Sequence, residues 1–152
     1  MDYQIKSIKK ISAGFTLVEI LIVISITAIL AMVSTSVYTN LNARENLEIS
    51  TNSLIEAIRY AQSNSRVGKG DSEWGIRILQ SSFVIFKGSN YVSRNVSFDQ
   101  SFNFSKGVVV DGLSEIVFEK ITGWTEDDGA IILTNSYGTK DILINEKGTL
   151  TY

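Results

Sequence analysis

The sequence predicts an α+β protein, in which one long N-terminal α-helix packs on a C-terminal antiparallel β-sheet or β-sandwich domain. Two patterns support this prediction. Apolar residues recur with a helical period as far as about residue 66, and beyond Gly70 they alternate in short runs separated by turn residues. A chain of 152 residues accommodates one small domain with an additional terminal segment.

The helix is predicted from Phe15 to about Ser65, because no Gly or Pro interrupts residues 15–67 and Gly68-Lys69-Gly70 then stops it. Its first half, residues 15–37, lies largely in a run without charge from residue 20 to residue 43. About 20 apolar residues suffice to cross the hydrocarbon core of a membrane, so this half is predicted to be a transmembrane helix. The lysines that precede it favour a cytoplasmic N-terminus and an extracytoplasmic remainder.

The second half of the helix, residues 38–66, is amphipathic. Leu47, Leu54, Ile58 and Ala61 recur at spacings of seven, four and three residues, which places them on one helical face. This stripe is predicted to pack on the protein's own β-domain, residues 67–152, rather than in a groove of a partner. The reason is that a small sheet needs a second layer to bury its apolar face.

Short apolar runs with turn residues between them mark the strands of the β-domain. A first hairpin joins 74–78 to 83–86, and a polar loop is predicted at 89–101. Next come the alternating residues Phe102 and Phe104, an apolar run typical of a buried strand at 108–110, and a strand at 116–118. A second hairpin joins 130–133 to 142–144, and a turn at 145–148 leads into a last short strand, 149–152.

The composition argues against an enzyme. The chain has no His and no Cys, so the usual nucleophile–base pairs and thiolate metal sites are excluded, and no catalytic residue, metal site or cofactor is predicted. Glu126-Asp127-Asp128 forms an acidic cluster, with Asp141 expected nearby across a hairpin. We interpret it as a solvated turn, because only part of the oxygen ligands that calcium needs is present. Trp74 and Trp124 are interpreted as core or strand-end residues.

A nucleic-acid partner is not expected. Removing residues 1–14 leaves 11 basic and 15 acidic side chains, a formal net charge of −4, and an acidic body lacks the broad basic surface of nucleic-acid-binding proteins. Lys87 and Arg94 near Tyr91 are the only hint of such a surface, and a solvated loop explains them equally well. No basic residue follows Lys147.

The segment from Gly14 to Glu19, Gly-Phe-Thr-Leu-Val-Glu, is the most informative part of the chain. It lies between a basic N-terminus, with Lys6, Lys9 and Lys10, and the long apolar run. A charged side chain at the centre of a membrane span costs roughly 2.5–3.5 kcal/mol on insertion scales, and less near its end. A helix that served only as an anchor would carry an apolar residue at position 19, so Glu19 is predicted to have a partner.

This segment resembles the processing site of type IV pilins and type II secretion pseudopilins. The resemblance implies that residues 1–14 are a leader peptide, that prepilin peptidase cleaves between Gly14 and Phe15, and that the new N-terminus of Phe15 is methylated. It also implies that Glu19 assists assembly by pairing with the N-terminal amine of a neighbouring subunit, while an internal pair with the amine of its own Phe15 stays open. The implied partners are the peptidase, other pilin or pseudopilin subunits, the inner-membrane assembly platform and, before assembly, membrane lipid.

Weaker likenesses extend along the chain. Four short segments resemble minor pseudopilins of the GspH/FimT type. They are residues 56–62, Trp74-Gly75-Ile76, the strand at 116–118 and the turn at 145–149. The absence of Cys and Pro departs from many major pilins and favours a minor structural subunit of a pilus or a type II secretion pseudopilus. The implied fold is pilin-like, in the inner or cytoplasmic membrane and then in the filament.

Two alternatives stay open. One is a DNA-binding minor pilin for DNA uptake or another membrane-anchored extracytoplasmic binding module. The other is a secreted enzyme behind an ordinary signal peptide, cleaved near Ser34-Thr35-Ser36. In that second case the apolar region of the signal peptide would begin with Glu19, and nothing would explain the Gly-Phe junction.

Overall fold

The structure is a computed structural model that describes residues 14–152, except for the side chains of residues 33–38. The predicted leader and its lysines therefore lie outside the described residues, save Gly14, and the side chains of Ser34-Thr35-Ser36 do too. The chain divides into two compact units, one that ends at Tyr38 and one that comprises Thr39–Tyr152. One helix, α1, runs from Leu17 to Arg66 and contributes to both.

The C-terminal end of α1 is fixed by a Schellman motif, as the Gly68-Lys69-Gly70 signal predicts. The Lys69 N–H donates to the Asn64 carbonyl at 2.9 Å, and the Gly68 N–H donates to the Ser65 carbonyl at 3.0 Å. Gly68 adopts the left-handed conformation that this motif requires, with φ of 61°. The motif satisfies two of the last carbonyls of the helix and directs the chain into the first strand.

Eight strands follow the helix, and a short 3₁₀ turn, Val96–Phe98, precedes the third. They are β1 (Trp74–Ile78), β2 (Ser82–Lys87), β3 (Gln100–Asn103), β4 (Val109–Gly112), β5 (Glu115–Phe118), β6 (Gly129–Thr134), β7 (Thr139–Ile144) and β8 (Leu150–Thr151). They form two antiparallel sheets: a first sheet in the order β3-β2-β1-β5, and a second sheet in the order β4-β6-β7-β8. The chain therefore supplies β4 to the second sheet between two strands of the first.

One apolar core unites the second half of α1 with both sheets. Leu47, Leu54, Ile58 and Ala61 are all buried and belong to this core, so the prediction that the stripe covers the protein's own β-domain is confirmed. The first sheet contributes residues such as Trp74 and Phe118, and the second sheet contributes Ile131, Leu133, Ile142 and Ile144. The predicted α+β class, with a helix on antiparallel sheets, is confirmed.

Both predicted hairpins are confirmed. Leu79 N–H donates to the Ser82 carbonyl at 2.8 Å in the turn between β1 and β2, and Asn135 N–H donates to the Gly138 carbonyl at 3.0 Å between β6 and β7. The turn predicted at 145–148 is also present, since Gly148 N–H donates to the Asn145 carbonyl at 2.7 Å.

Two boundaries in the β-domain differ from the prediction. The run 108–110 is not uniformly buried: Val108 is buried just before β4, whereas Val109 is 58% exposed. The reason is that β4 is an edge strand whose alternate side chains face solvent. The polar segment 89–101 is not a loop throughout, because Gln100 and Ser101 already pair with Ile85 and Val84 of β2. The sequence there shows only a weak alternation of apolar residues, but backbone pairing with the buried strand β2 makes these residues a strand.

Candidate processing and assembly site

The helix begins two residues later than predicted because Thr16 caps it. The Thr16 side-chain oxygen accepts a hydrogen bond from the Glu19 N–H at 3.2 Å, and the Thr16 carbonyl accepts the first helical bond, from Ile20 N–H at 3.2 Å. Thr16 is therefore the N-cap and Glu19 the third helical residue, the spacing of a capping box. A carboxylate in the first turn also interacts favourably with the positive end of the helix dipole.

Gly14 and Phe15 precede this cap in a non-helical, exposed stretch. The Phe15 side chain is 80% exposed. A Cβ atom built on Gly14 meets no other atom within 4 Å, so nothing in the described chain requires glycine at this position for space. The packing of the described chain therefore does not explain why position 14 is glycine.

The first unit presents an almost continuous apolar surface. Every large apolar side chain from Phe15 to Met32 is more than half exposed, including Leu17, Ile24 and Leu30. Monomeric soluble proteins rarely expose so large an apolar area, which marks it as a surface that contacts another protein or lipid.

The hydroxyl groups within this apolar stretch are bonded to their own helix. Ser25 donates to the Leu21 carbonyl at 2.7 Å, and Thr27 donates to the Val23 and Ile24 carbonyls, both at 2.9 Å. Such bonds within the helix let a hydroxyl group lie in an apolar environment without an external partner. Transfer to an apolar environment therefore costs the most free energy for Glu19, because its carboxylate is charged.

The Glu19 carboxylate has no ion-pair partner among residues 14–152. Together with Phe15, Ile20, Val23 and Ile24 it lines a shallow groove on the helix surface. The structure thus places Gly14, Phe15 and Glu19 within the first turn and its approach, and Phe15 and Glu19 line the same groove. The predicted pairing of Glu19 with an amine stays a prediction.

Thr16 is the site residue that the sequence interpretation overlooked. The signal was present in the sequence, since a Thr followed three residues later by Glu and an apolar run is typical of a capping box. Its presence gives Glu19 a local structural role in addition to the predicted assembly role, and the two roles require different tests.

The two tryptophans have different environments. Trp74 is 1% exposed, in the core, as predicted, and its indole N–H donates to the Lys69 carbonyl at 2.9 Å. Trp124 is 52% exposed in the connection between β5 and β6, so the prediction of a core or strand-end position is wrong for it. Hydrogen bonding of its backbone with Glu119 and Thr122, rather than burial of its ring, holds this connection.

The acidic cluster is partly structural. The Asp127 carboxylate accepts a hydrogen bond from the Val117 N–H of β5 at 3.0 Å. Asp141 lies on β7, where it pairs with Ile132 of β6. Among the described residues, no group of three or more acidic side chains is arranged to hold a metal ion.

The basic residues considered for nucleic acid are engaged within the protein. The Arg94 guanidinium lies 3.6 Å from the centroid of the Tyr91 ring and donates to Asp99 at 2.8 Å. The Lys87 ammonium lies 4.6 Å from the centroid of the Phe98 ring. A guanidinium bound to a carboxylate is not a free cation for a phosphate, so this loop is held by its own contacts.

No helix within residues 14–152 combines the length and the apolar character needed to cross a membrane. The transmembrane character predicted for residues 15–37 is therefore not shown.

Comparison with known proteins bears on the same N-terminal segment. Residues 9–35 match the family described as the prokaryotic N-terminal methylation motif, and this match covers less than a fifth of the chain. No curated protein and no solved structure matches the chain. The matched segment contains Gly14, Phe15 and Glu19 and suggests a membrane-anchored or pilus location. On the basis of this motif, the comparison supports the type IV pilin and pseudopilin family for the chain.

Proposed function

We propose that the protein is a structural subunit, not an enzyme, and specifically a minor pilin or pseudopilin of the GspH/FimT type. Prepilin peptidase removes residues 1–14, the amine of Phe15 is methylated, and residues 15–37 anchor the subunit in the inner membrane until the assembly platform moves it into a filament. The observation that carries this proposal is the methylation motif at residues 9–35, with its Gly14–Phe15 junction exposed immediately before the N-cap of α1.

Three features of the first unit support the proposal. The junction lies in non-helical backbone, which a peptidase can bind in extended form. The apolar surface from Phe15 to Met32 suits lipid before assembly and other helices afterwards. Glu19 follows Phe15 by four residues and lines the same groove. The released amine of Phe15 has an unperturbed pKa of about 7.7–8.0 and is largely cationic at neutral pH.

The processing step is tested by coexpressing the full chain with prepilin peptidase and measuring the intact mass of the product. We expect loss of residues 1–14 and addition of one methyl group on Phe15. Gly14→Leu should abolish cleavage. A Cβ at position 14 meets no described atom within 4 Å, so this variant should leave the fold of the described chain unchanged. Lost cleavage would then report on recognition by the peptidase.

Phe15→Leu is the matched control, because it changes the other side of the junction while keeping an apolar, exposed side chain. It should still be cleaved. Normal cleavage of Gly14→Leu, or cleavage of the wild-type chain near residues 34–36 instead, would contradict the proposed processing.

The DNA-binding alternative receives no support from the second unit. Arg94, one of the two cations that hinted at a nucleic-acid surface, is bound to Asp99 in a partly buried ion pair. A salt-dependent DNA-binding assay on the processed chain separates the two functions, since neutralisation of phosphates by free cations makes binding fall steeply with salt.

A further inference from the structure

Three of the four sheet edges in the β-domain carry features that limit pairing with another strand. At β5, the Val117 N–H is bonded by the Asp127 carboxylate at 3.0 Å and the Glu119 N–H by the Trp124 carbonyl at 2.8 Å. At β4, the Asp111 side chain bonds the Gly112 N–H at 2.8 Å. The edge strand β8 has only two residues. Such devices are how proteins prevent unwanted strand pairing.

The outer edge of β3 has no such device in the described chain. Phe104 N–H donates to the Ser81 carbonyl of the neighbouring chain segment at 3.0 Å, so the even-numbered residues of β3 direct their backbone bonds toward β2. Ser101 and Asn103 therefore direct their N–H and C=O groups away from the sheet, and no strand formed by residues 14–152 lies beside them. All four residues of β3 are exposed.

A cleft of about 320 Å³ adjoins this edge, between β2–β3 and the second half of α1. Its sheet side carries Phe102, which is 43% exposed and stacks on Phe83 with ring centroids 5.3 Å apart. Its helix side carries Ser53, Glu56 and Tyr60. The Glu56 carboxylate is exposed and has no ion-pair partner within the described residues.

The chemistry of this surface specifies its occupant. Unpaired backbone groups on a strand edge are satisfied by an extended polypeptide, and alternate side chains of that added strand project to the same face of the sheet. On the face that carries Phe102, those side chains enter the cleft beside Glu56. An apolar side chain suits the exposed Phe102 ring, and a basic one complements the free carboxylate.

We propose that the outer edge of β3 and the adjoining cleft form a docking site for an extended segment of a partner polypeptide, which pairs with Ser101 and Asn103 and places an apolar residue on Phe102 and a Lys or Arg at Glu56. This site lies in the second unit, is separate from the N-terminal processing segment, and goes beyond assembly through α1.

The test uses the full chain in detergent and a fluorescent synthetic peptide with the sequence of residues 82–87. This strand already pairs with the inner edge of β3, and it carries Phe, Ile and Lys on one face. We expect saturable binding and slower amide exchange at Ser101 and Asn103. Asn103→Pro removes an outward N–H without touching the β2 ladder, and it should weaken binding about tenfold, the effect of a lost hydrogen bond.

Asn103→Thr, which keeps the N–H, is the matched control and should bind like the wild type. Glu56→Gln should weaken binding by up to about fivefold, as expected for an exposed ion pair. Near-ultraviolet circular dichroism checks the fold, and Phe102→Ala, at a half-exposed position, should also weaken binding if Asn103→Pro misfolds. Absence of saturable binding, or protection only at other amides, overturns the proposal. The proposal is also overturned if Asn103→Pro binds the peptide as tightly as the wild type. The same holds if Ser101 and Asn103 are protected from exchange by self-association of the chain without peptide.

Discussion

Glu19 has a structural role and a proposed assembly role, and one substitution separates them by magnitude. Glu19→Gln keeps the size of the side chain and its capacity to complete a capping box with Thr16, but it removes the charge. Loss of a charge at a helix N-terminus costs about 0.3–1 kcal/mol. Loss of one partner of a buried ion pair costs about 3–5 kcal/mol.

These free energies predict different incorporation into filaments. If Glu19 only stabilises the start of α1, Glu19→Gln should enter filaments within about fivefold of the wild type. If it pairs with the amine of Phe15 on a neighbouring subunit, incorporation should fall more than about a hundredfold. Glu19→Leu should likewise be inserted and cleaved but enter filaments poorly, and Glu19→Asp should be intermediate.

Thr16→Val is the matched control, because it removes the acceptor of the Glu19 N–H and leaves the carboxylate in place. It should destabilise the helix start by about 0.5–2 kcal/mol and still enter filaments far better than Glu19→Gln. The assay coexpresses each variant with the wild-type chain and measures their ratio in sheared filaments and in membranes by mass spectrometry, with cleavage confirmed. Incorporation of Glu19→Gln at the wild-type level would refute the ion pair.

Further predictions concern the second unit. Residues 38–152 should form a soluble, cooperatively folding monomer, whereas a chain that begins after Ala61 should aggregate in size-exclusion chromatography, because it lacks the buried stripe. Leu54→Ala, at a fully buried position, should cost about 2–5 kcal/mol in urea unfolding, while Leu41→Ala, 59% exposed on the same helix, should cost under about 0.5 kcal/mol. Hydrogen bonds from Gln100 and Lys69 lower the pKa of Tyr60 from 10.0 to about 8. Absorbance titration should therefore show one tyrosine ionising near this pH, and Tyr60→Phe should remove that transition. Because the unfolded chain keeps this proton longer, Tyr60 should make stability rise between about pH 8 and pH 10, and the gain should be absent below pH 8.

The elements that the sequence predicted well are those with a strong local signal. The stripe from Leu47 to Ala61 follows one helical face over four turns, and Gly68 marks the end of the helix because the left-handed position favours Gly. The hairpin turns at 79–82 and 135–138 were predictable for the same reason, since their residue types and spacing are local properties.

The elements that were predicted poorly depend on how a short segment folds back on itself, which residue types alone do not report. Trp124 has an aromatic side chain but lies in a turn that is fixed by backbone bonds, which a sequence pattern does not report. Arg94 was assigned to a solvated loop because its partners, Asp99 and the Tyr91 ring, become neighbours only when the segment folds back. In the N-terminal segment, the functional interpretation of Glu19 was available from the motif, whereas its capping geometry with Thr16 was overlooked.

The passage of β4 into the second sheet, between β3 and β5 of the first, has a consequence for unfolding. The first sheet is incomplete until β5 pairs with β1, and the chain reaches β5 only after β4. β4 in turn pairs with β6, which follows β5 in the chain. Neither sheet is a contiguous segment, so neither can detach as a separate folding unit without disturbing the other. Heat or denaturant should therefore melt both sheets in a single transition, with the same midpoint for secondary-structure and tertiary-structure probes.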